Sequence, residues 1–302
     1  MIWTALIIVY VVWGSTYLAI RIAVESMPPL LMAGVRFLIA GGILLAWRMA
    51  ALGSSSPRIT LREWLSAAIV AAALMLGGNG GVALAERTVP SGITALIAAT
   101  VPLWIALFDR LWFKRALHVQ RIAGLVLGFG AVALLVGRPD AGGLNMSGAL
   151  IAVIAAVSWA AGSLYARGAE LPDDASTAIG MEMLAGGALL VIAAALAGEF
   201  RDPQLLHPTA ASWWAFTYLV IFGALVGFSA YLWLLRVAPI ARVSTYAYVN
   251  PVVAVALGFL ILHEPIGPHT IAAGAAILAA IALIVWEPKN PPRSDAPDLT
   301  GA

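Results

Sequence analysis

Trp13, Ser15, Thr16 and Tyr17 stand together inside the apolar run VVWGSTYLAI (11–20), and Trp159, Ser163 and Tyr165 recur in AVSWAAGSLYARG (156–168). Indole N–H and hydroxyl groups form hydrogen bonds, and the rings offer apolar faces. With no partnering acid or base beside them, side chains of this kind suit either the lining of a wet cavity or packing against a neighbouring helix. Asn79 in LGGNGG (76–81) and Tyr246 and Asn250 in STYAYVNP (244–251) offer the same chemistry. On a helix, Tyr17 follows Trp13 by about one turn, Ser163 follows Trp159 and Asn250 follows Tyr246, so each pair shares a face. Tyr231 and Trp233 extend the set more weakly.

Other chemistries lack their residues. The chain has no cysteine, which removes disulfides, thiolate metal sites and cysteine nucleophiles. His118, His207, His263 and His269 fall near helix ends or in loops without ligand spacing, so no metal centre and no cofactor are expected. No G-x-x-x-x-G-K-[ST] loop is present to bind ATP, and no His/Asp/Ser or carboxylate cluster suggests an enzyme. The net charge is +2 and the basic residues are scattered, which argues against nucleic acid as a partner.

The elements that position these residues follow from composition. Hydrophobic residues make up 62% of the 302-residue chain and charged residues 11%, against about 45–50% apolar in soluble domains. Such a chain belongs in a lipid bilayer. A spanning helix needs about 20 apolar residues. Ten runs qualify: 2–23, 30–50, 63–85, 91–113, 119–137, 147–168, 175–197, 212–235, 240–262 and 268–286. The first run lacks a basic n-region and a cleavage site of small residues, so it is expected to remain in the mature protein. Placing the N-terminus inside puts most lysines and arginines, among them Arg48, Arg62, Lys114 and Arg167, on the cytoplasmic side. Arg21, Arg87, Arg138 and Arg201 fall outside. This bias predicts that both termini are cytoplasmic. The polar, Pro-rich tail 289–302 is expected to be disordered.

The runs repeat. RTVPSGITALIAATVPLWIALF (87–108) aligns without gaps on RVAPIARVSTYAYVNPVVAVAL (236–257), matching Arg87 to Arg236, Pro90 to Pro239 and Pro102 to Pro251. At nearly the same offset Trp13 meets Trp159, Arg21 meets Arg167, and the AGG at 40–42 meets that at 185–187. Five spans is an odd number, so the second half enters the membrane from the opposite side. The expected fold is all-α: ten transmembrane helices forming two inverted five-helix repeats around a central cavity, residues 1–137 and 138–288. Transporters use this plan, with the solute site between the halves near the midplane.

WGSTYLAIRIA, RFLIAGGILL and YVNPVVAVALGFLILHEPIGPHTIAAGAAILAAIALI resemble the EamA-type branch of the drug/metabolite transporter superfamily across essentially the whole chain. FKRAL (113–117) departs from the pattern, standing where the family usually has a Glu-containing turn. The resemblance implies ten helices, with spans 1, 3, 4, 6, 8 and 9 around the cavity and spans 5 and 10 peripheral. It implies export or exchange of small metabolites, often amino acids, across the bacterial inner membrane.

Within that frame each candidate has two readings. Trp3, Trp47, Trp64, Trp112, Trp213, Trp214 and Trp286 lie near span ends and fit interfacial belts, whereas Trp13 and Trp159 lie mid-span. There an indole N–H needs a partner, and either a wet cavity or a neighbouring helix supplies one. Asn79 either faces a ligand or bonds a neighbouring helix. Arg36 and Glu182 are intramembrane charges at matching repeat positions, open to a coupling role or to structural anchoring. Pro102 and Pro251 leave the carbonyls of Ala98 and Ala247 without helical donors and read as hinges or as static kinks. Gly124 and Gly128 mark either a dimer face or packing within one bundle, and a monomer is favoured. The expected function is export of amino acids with apolar or aromatic side chains, by alternating access with helix bending. The alternatives are a multidrug, purine or sugar carrier, and a passive channel.

Overall fold

A computed structural model describes residues 1–52, 59–114, 119–137, 145–201, 207–238 and 246–285. The tail 289–302 and Trp286 lie outside these residues. The described chain is helical, and we number its helices α1 (Ile2–Ala23), α2 (Pro29–Leu52), α3 (Leu61–Ala85), α4 (Ser91–Trp112), α5 (Val119–Gly137), α6 (Met146–Ala166), α7 (Ala175–Leu196), α8 (Ala210–Tyr231, continuing to Val237), α9 (Tyr246–Leu262) and α10 (Pro268–Val285). Eight of these are long and apolar enough to cross a membrane; α5 and α9 are shorter apolar helices. Their outer faces expose large apolar side chains such as Val126, Leu260 and Leu65. Water would penalise such a surface, and lipid would not.

Polar caps fix the helix ends. Thr60 and Glu63 form a capping box at the start of α3, and Asp174 caps α7 through the backbone N–H of Thr177. Two carboxylates act from a distance. Glu199 accepts from the N–H groups of Leu30 and Leu31 at the start of α2, at 3.2 and 2.8 Å. Glu264, beyond the end of α9, accepts from Ser91 N–H at 2.7 Å, Ser91 Oγ at 3.0 Å and Gly92 N–H at 3.2 Å at the start of α4. Negative charge at a helix N-terminus complements the macrodipole and satisfies orphan donors.

Between helices, small residues replace side-chain interdigitation. Gly34 and Gly41 on α2 face Gly187 and Gly180 on α7. A Cβ built at Gly187 would lie 2.8 Å from the Gly34 carbonyl oxygen and 2.8 Å from the Leu38 nitrogen, so the backbones touch there. Gly124 and Gly128 on α5 pack against Ile284 and Ala280 of α10, and Gly128 also meets Leu103 of α4. That spacing is therefore occupied within the chain.

Three helices depart from simple α geometry. Residues Ala72–Gly80 of α3 and Leu219–Val226 of α8 are π-helical. Helix α4 is broken: Ser91–Ala98 and Val101–Phe113 are separate segments joined by a turn at 99–100, with Pro102 at the start of the second. Pro251 instead sits inside an uninterrupted α9. The two aligned prolines thus have different local outcomes. Thr100 contributes to the difference, its hydroxyl donating to the Ile97 carbonyl at 2.6 Å and closing a tight turn before the proline.

Candidate functional site

The helices enclose a central cavity of about 460 Å³. Trp13, Tyr17, Asn79, Trp159, Ser163, Tyr246 and Asn250 all line it, and so do Pro102 and Pro251. The carbonyl-bearing residues Ala98 and Ala247, which the prolines deprive of donors, line it as well. Six helices were expected to form the wall. Arg36 and Phe37 of α2, Arg121 of α5, and Ile284 and Val285 of α10 join them.

One wall is aromatic. Trp13 lies 5.1 Å from Tyr231 and 5.2 Å, edge-on, from Tyr246, and the two tyrosines are 5.9 Å apart and nearly perpendicular. Edge-to-face arrangements of this kind are the favoured ones. The indole nitrogen of Trp13 packs onto Gly227 of α8, where a Cβ would collide with it. Asn250, with its amide group oriented toward acceptors, donates to the carbonyls of Tyr246 at 3.1 Å and Tyr10 at 3.2 Å. It thereby ties α9 to α1, and Gly14 lets the two approach, a Cβ there falling 3.2 Å from the Asn250 carbonyl oxygen.

The opposite wall is α6 on the π-helical part of α3. Gly78 lies under the Trp159 ring, Gly81 under Ala155, and the Ser158 hydroxyl donates to the Ala73 carbonyl at 2.9 Å. The glycines of LGGNGG are therefore packing residues. Ser163 donates to the carbonyl of Trp159, one turn back, at 2.8 Å.

Asn79 is both a packing and a cavity residue. Its Oδ1 accepts from Arg36 Nη2 at 3.1 Å, and its Nδ2 donates to the Leu74 carbonyl at 3.2 Å. Arg36 is 6% exposed, its guanidinium carbon lies 4.2 Å from the centre of the Phe37 ring, and its Nε–H has no hydrogen-bond partner. An expectation needs correction here. The resemblance implies a wall of spans 1, 3, 4, 6, 8 and 9, without span 2, yet Arg36 and Phe37 of α2 line the cavity, where Arg36 meets Asn79 of α3. Glu182 takes no part in this: it is buried on α7, does not line the cavity, and makes no ion pair or hydrogen bond with Arg36 or any other described residue.

The lining ends differently at its two extremities. At one end Asp109, Arg121 and Arg167 line it; Arg167 is half exposed and lies 3.9 Å from Asp109. Beyond Arg36, at the other end, Glu86 is fully buried, and both its carboxylate oxygens lack a hydrogen-bond partner. Arg21 donates to the Glu86 backbone carbonyl. Glu86 escaped notice in the sequence because ALAERTVPS (83–91) reads as the polar end of a span. Its charged neighbours Arg21, Arg36 and Glu264 come from distant parts of the chain, so no local pattern in the sequence marks it.

Comparison with other proteins places this geometry. The chain matches the EamA-like transporter family over residues 1–137 and again over 146–286. It is 42% identical to a protein named as the uncharacterized inner membrane transporter YedA of Escherichia coli K12, over 84% of this chain and 80% of that one. It is 25% identical to the uncharacterized transporter YvbV of Bacillus subtilis, over 93% and 91%, and 26% identical to the protein PecM of Dickeya dadantii, over 90% and 88%. A crystal structure 23% identical in sequence superposes with a TM-score of 0.63, covering 93% of this chain and 94% of its own, and shares the fold. The chain is a multi-pass membrane protein and belongs to the EamA-like transporter family.

Proposed function

We propose that the protein is a secondary transporter that exports amino acids with apolar or aromatic side chains. The observation that carries this reading is the cavity itself: Trp13 and Tyr246, backed by Tyr231, face a volume that also reaches Arg36 and Asn79. A small zwitterion with an apolar side chain fits that combination. The aromatic wall takes the side chain, and the guanidinium takes the carboxylate. Beside the aromatic wall stand one guanidinium and one amide, while Arg121 and Arg167 lie at the other end with Asp109, so the cations are not gathered for a multiply charged phosphate.

In this reading residues 1–137 and 138–288 are two inverted five-helix halves, both termini are cytoplasmic, and Pro102 and Pro251 are where α4 and α9 flex as access alternates. The carbonyls of Ala98 and Ala247, to which Pro102 and Pro251 can give no hydrogen bond, are then wetted by the cavity that both residues line. The protein works as a monomer, because the small-residue faces of α5 and α2 are consumed by contacts with α10 and α7. A single mass in detergent, independent of protein concentration, is the expected outcome.

Overexpression in cells loaded with a panel of amino acids tests the solute class. Phenylalanine, leucine and similar solutes should leave faster than from control cells. Unchanged amino-acid efflux, with accelerated loss of purines, sugars or cationic drugs, would overturn the assignment.

A further inference from the structure

Glu86 is a buried ionisable group for which neither the solute reading nor the fold has a use. Its position is specific. Its backbone N–H donates to the carbonyl of Val82 at 3.0 Å, so the two residues are one helical turn apart. Val82 and Asn79 line the cavity, and Glu86 lies immediately beyond them, with no exposure to solvent. Charged and titratable groups face it from three other parts of the molecule: Tyr17 and Arg21 from α1, Arg36 from α2, and Glu264 from the junction of α9 and α10.

The neighbours are unequally committed. Glu264 is held by three donors at the start of α4, and Arg21 spends a donor on a backbone carbonyl. Arg36 is held by one amide oxygen and keeps an unpartnered Nε–H while lining the cavity. Arg36 is thus the cation whose counter-charge is negotiable. When the cavity holds no solute, an ionised Glu86 balances it. When a carboxylate from the cavity reaches Arg36, an ionised Glu86 would bring three carboxylates, its own, the solute's and that of Glu264, around two cations, Arg36 and Arg21, at a site closed to solvent. A proton on Glu86 relieves that excess. Burial already pushes the Glu86 carboxyl well above the usual carboxylate range, with Glu264 acting in the same direction and Arg21 and Arg36 opposing.

We propose that Glu86 is a proton-binding site linked to the cavity, taking up one proton when a solute carboxylate occupies Arg36. The inference rests on the solute reading above only for the identity of the carboxylate. The step is a simple protonation: a proton from cavity water adds to one Glu86 oxygen, and no other bond is made or broken. It returns to water when Glu86 is hydrated by opening of the end at which it is now buried. Solute and proton therefore bind together, and thermodynamic linkage requires that a lower pH tighten solute binding.

Infrared difference spectra of the purified protein, collected through a pH titration without solute, test the site directly. The expected result is a protonated-carboxyl carbonyl band that is absent in Glu86→Gln. In Arg36→Gln, which mimics a neutralised cation, the band should persist to higher pH, its proton held at least about tenfold more tightly. Arg36→Lys keeps the charge and should titrate close to wild type, which covers a poorly folding Arg36→Gln. A spectrum unchanged by Glu86→Gln, or a titration indifferent to loss of the Arg36 charge, overturns the proposal. Calorimetry with L-phenylalanine in buffers of different ionisation enthalpy then counts protons taken up per solute bound, expected in wild type and lost in Glu86→Gln. Phenylalanine that binds with equal proton uptake in both proteins also overturns the proposal. Absence of phenylalanine binding contradicts the amino-acid reading alone, because the infrared titration uses no solute.

Discussion

At the scale of single residues, what separates a cavity tryptophan from a belt tryptophan is what surrounds the ring. Trp13 contacts two tyrosines and a glycine backbone within the bundle, whereas Trp47 is 60% exposed on the outer face. Aromatic pairs contribute about 0.5–1.5 kcal/mol beyond their buried area. Trp13→Ala and Tyr246→Ala should each lower solute efflux about tenfold at equal expression. Trp47→Ala should leave it close to wild type. Initial efflux rates from preloaded proteoliposomes check this, and equal losses in all three variants would show that the aromatic wall does not bind solute.

A second residue-scale prediction concerns Asp174. Arg48 bonds it twice, at 2.9 and 2.8 Å, while it caps α7, and these bonds hold its carboxyl down at about 2. A folded-state value below the unfolded one, about 4, contributes stability that is complete above pH 4 and is lost as pH falls through about 2. Asn in its place can still cap the helix but cannot pair with Arg48. The wild-type melting temperature in detergent should therefore fall between about pH 4 and pH 2 by more than that of Asp174→Asn. Parallel curves for the two proteins would remove Asp174 as the titrating group.

At the scale of elements, the close backbone approach of α2 and α7 has a direct consequence. Gly187 has no space for a side chain, because the Gly34 carbonyl oxygen and Leu38 nitrogen already sit where a Cβ would contact them. Gly187→Val should destabilise the protein by several kcal/mol or prevent its accumulation, whereas Gly42→Ala, with nothing near its Cβ position, should be tolerated. Thermal stability in detergent checks the pair. The same comparison indicates what was legible in the chain. Helix extents follow from the lengths of apolar runs, so 2–23, 91–113 and 119–137 were set within a residue or two by composition alone. Trp13, Tyr17, Asn79, Trp159, Ser163, Tyr246 and Asn250 are polar where the chain is otherwise apolar and all line one cavity, whereas Ser15, Tyr165, Tyr231 and Trp233 do not.

What the chain did not disclose depends on neighbours distant in sequence. Nothing in AALMLGGNG signals a π-helix; in the fold Ser158 and Trp159 pack directly on its Gly77 and Gly78. The aligned Pro102 and Pro251 looked equivalent, yet one follows a Thr100 turn and the other lies within a continuous helix. The place of Arg36 at the cavity was not legible either, because the resemblance implies a wall without span 2 and the chain alone does not say which neighbour each face of α2 meets. The asymmetry of the prolines yields its own expectation. Pro251→Ala would restore a donor to the Ala247 carbonyl and stiffen α9, slowing transport. Pro102→Ala should have a smaller effect, because the break at 99–100 is also held by Thr100. Equal slowing by the two substitutions, measured as solute counterflow, would argue against a hinge in α9.

At the scale of the whole molecule, the central claim is that one cavity meets each side of the membrane in turn. The sequence is suited to testing this, since it contains no cysteine and any introduced thiol is unique. Ser163 lines the cavity, and its hydroxyl is spent on a carbonyl of its own helix. Ser163→Cys, once shown to retain efflux, can be exposed to a membrane-impermeant maleimide in intact cells and, separately, in inside-out vesicles. The account predicts labelling from both sides, slowed on each by L-phenylalanine. Labelling confined to one side and indifferent to solute would contradict it.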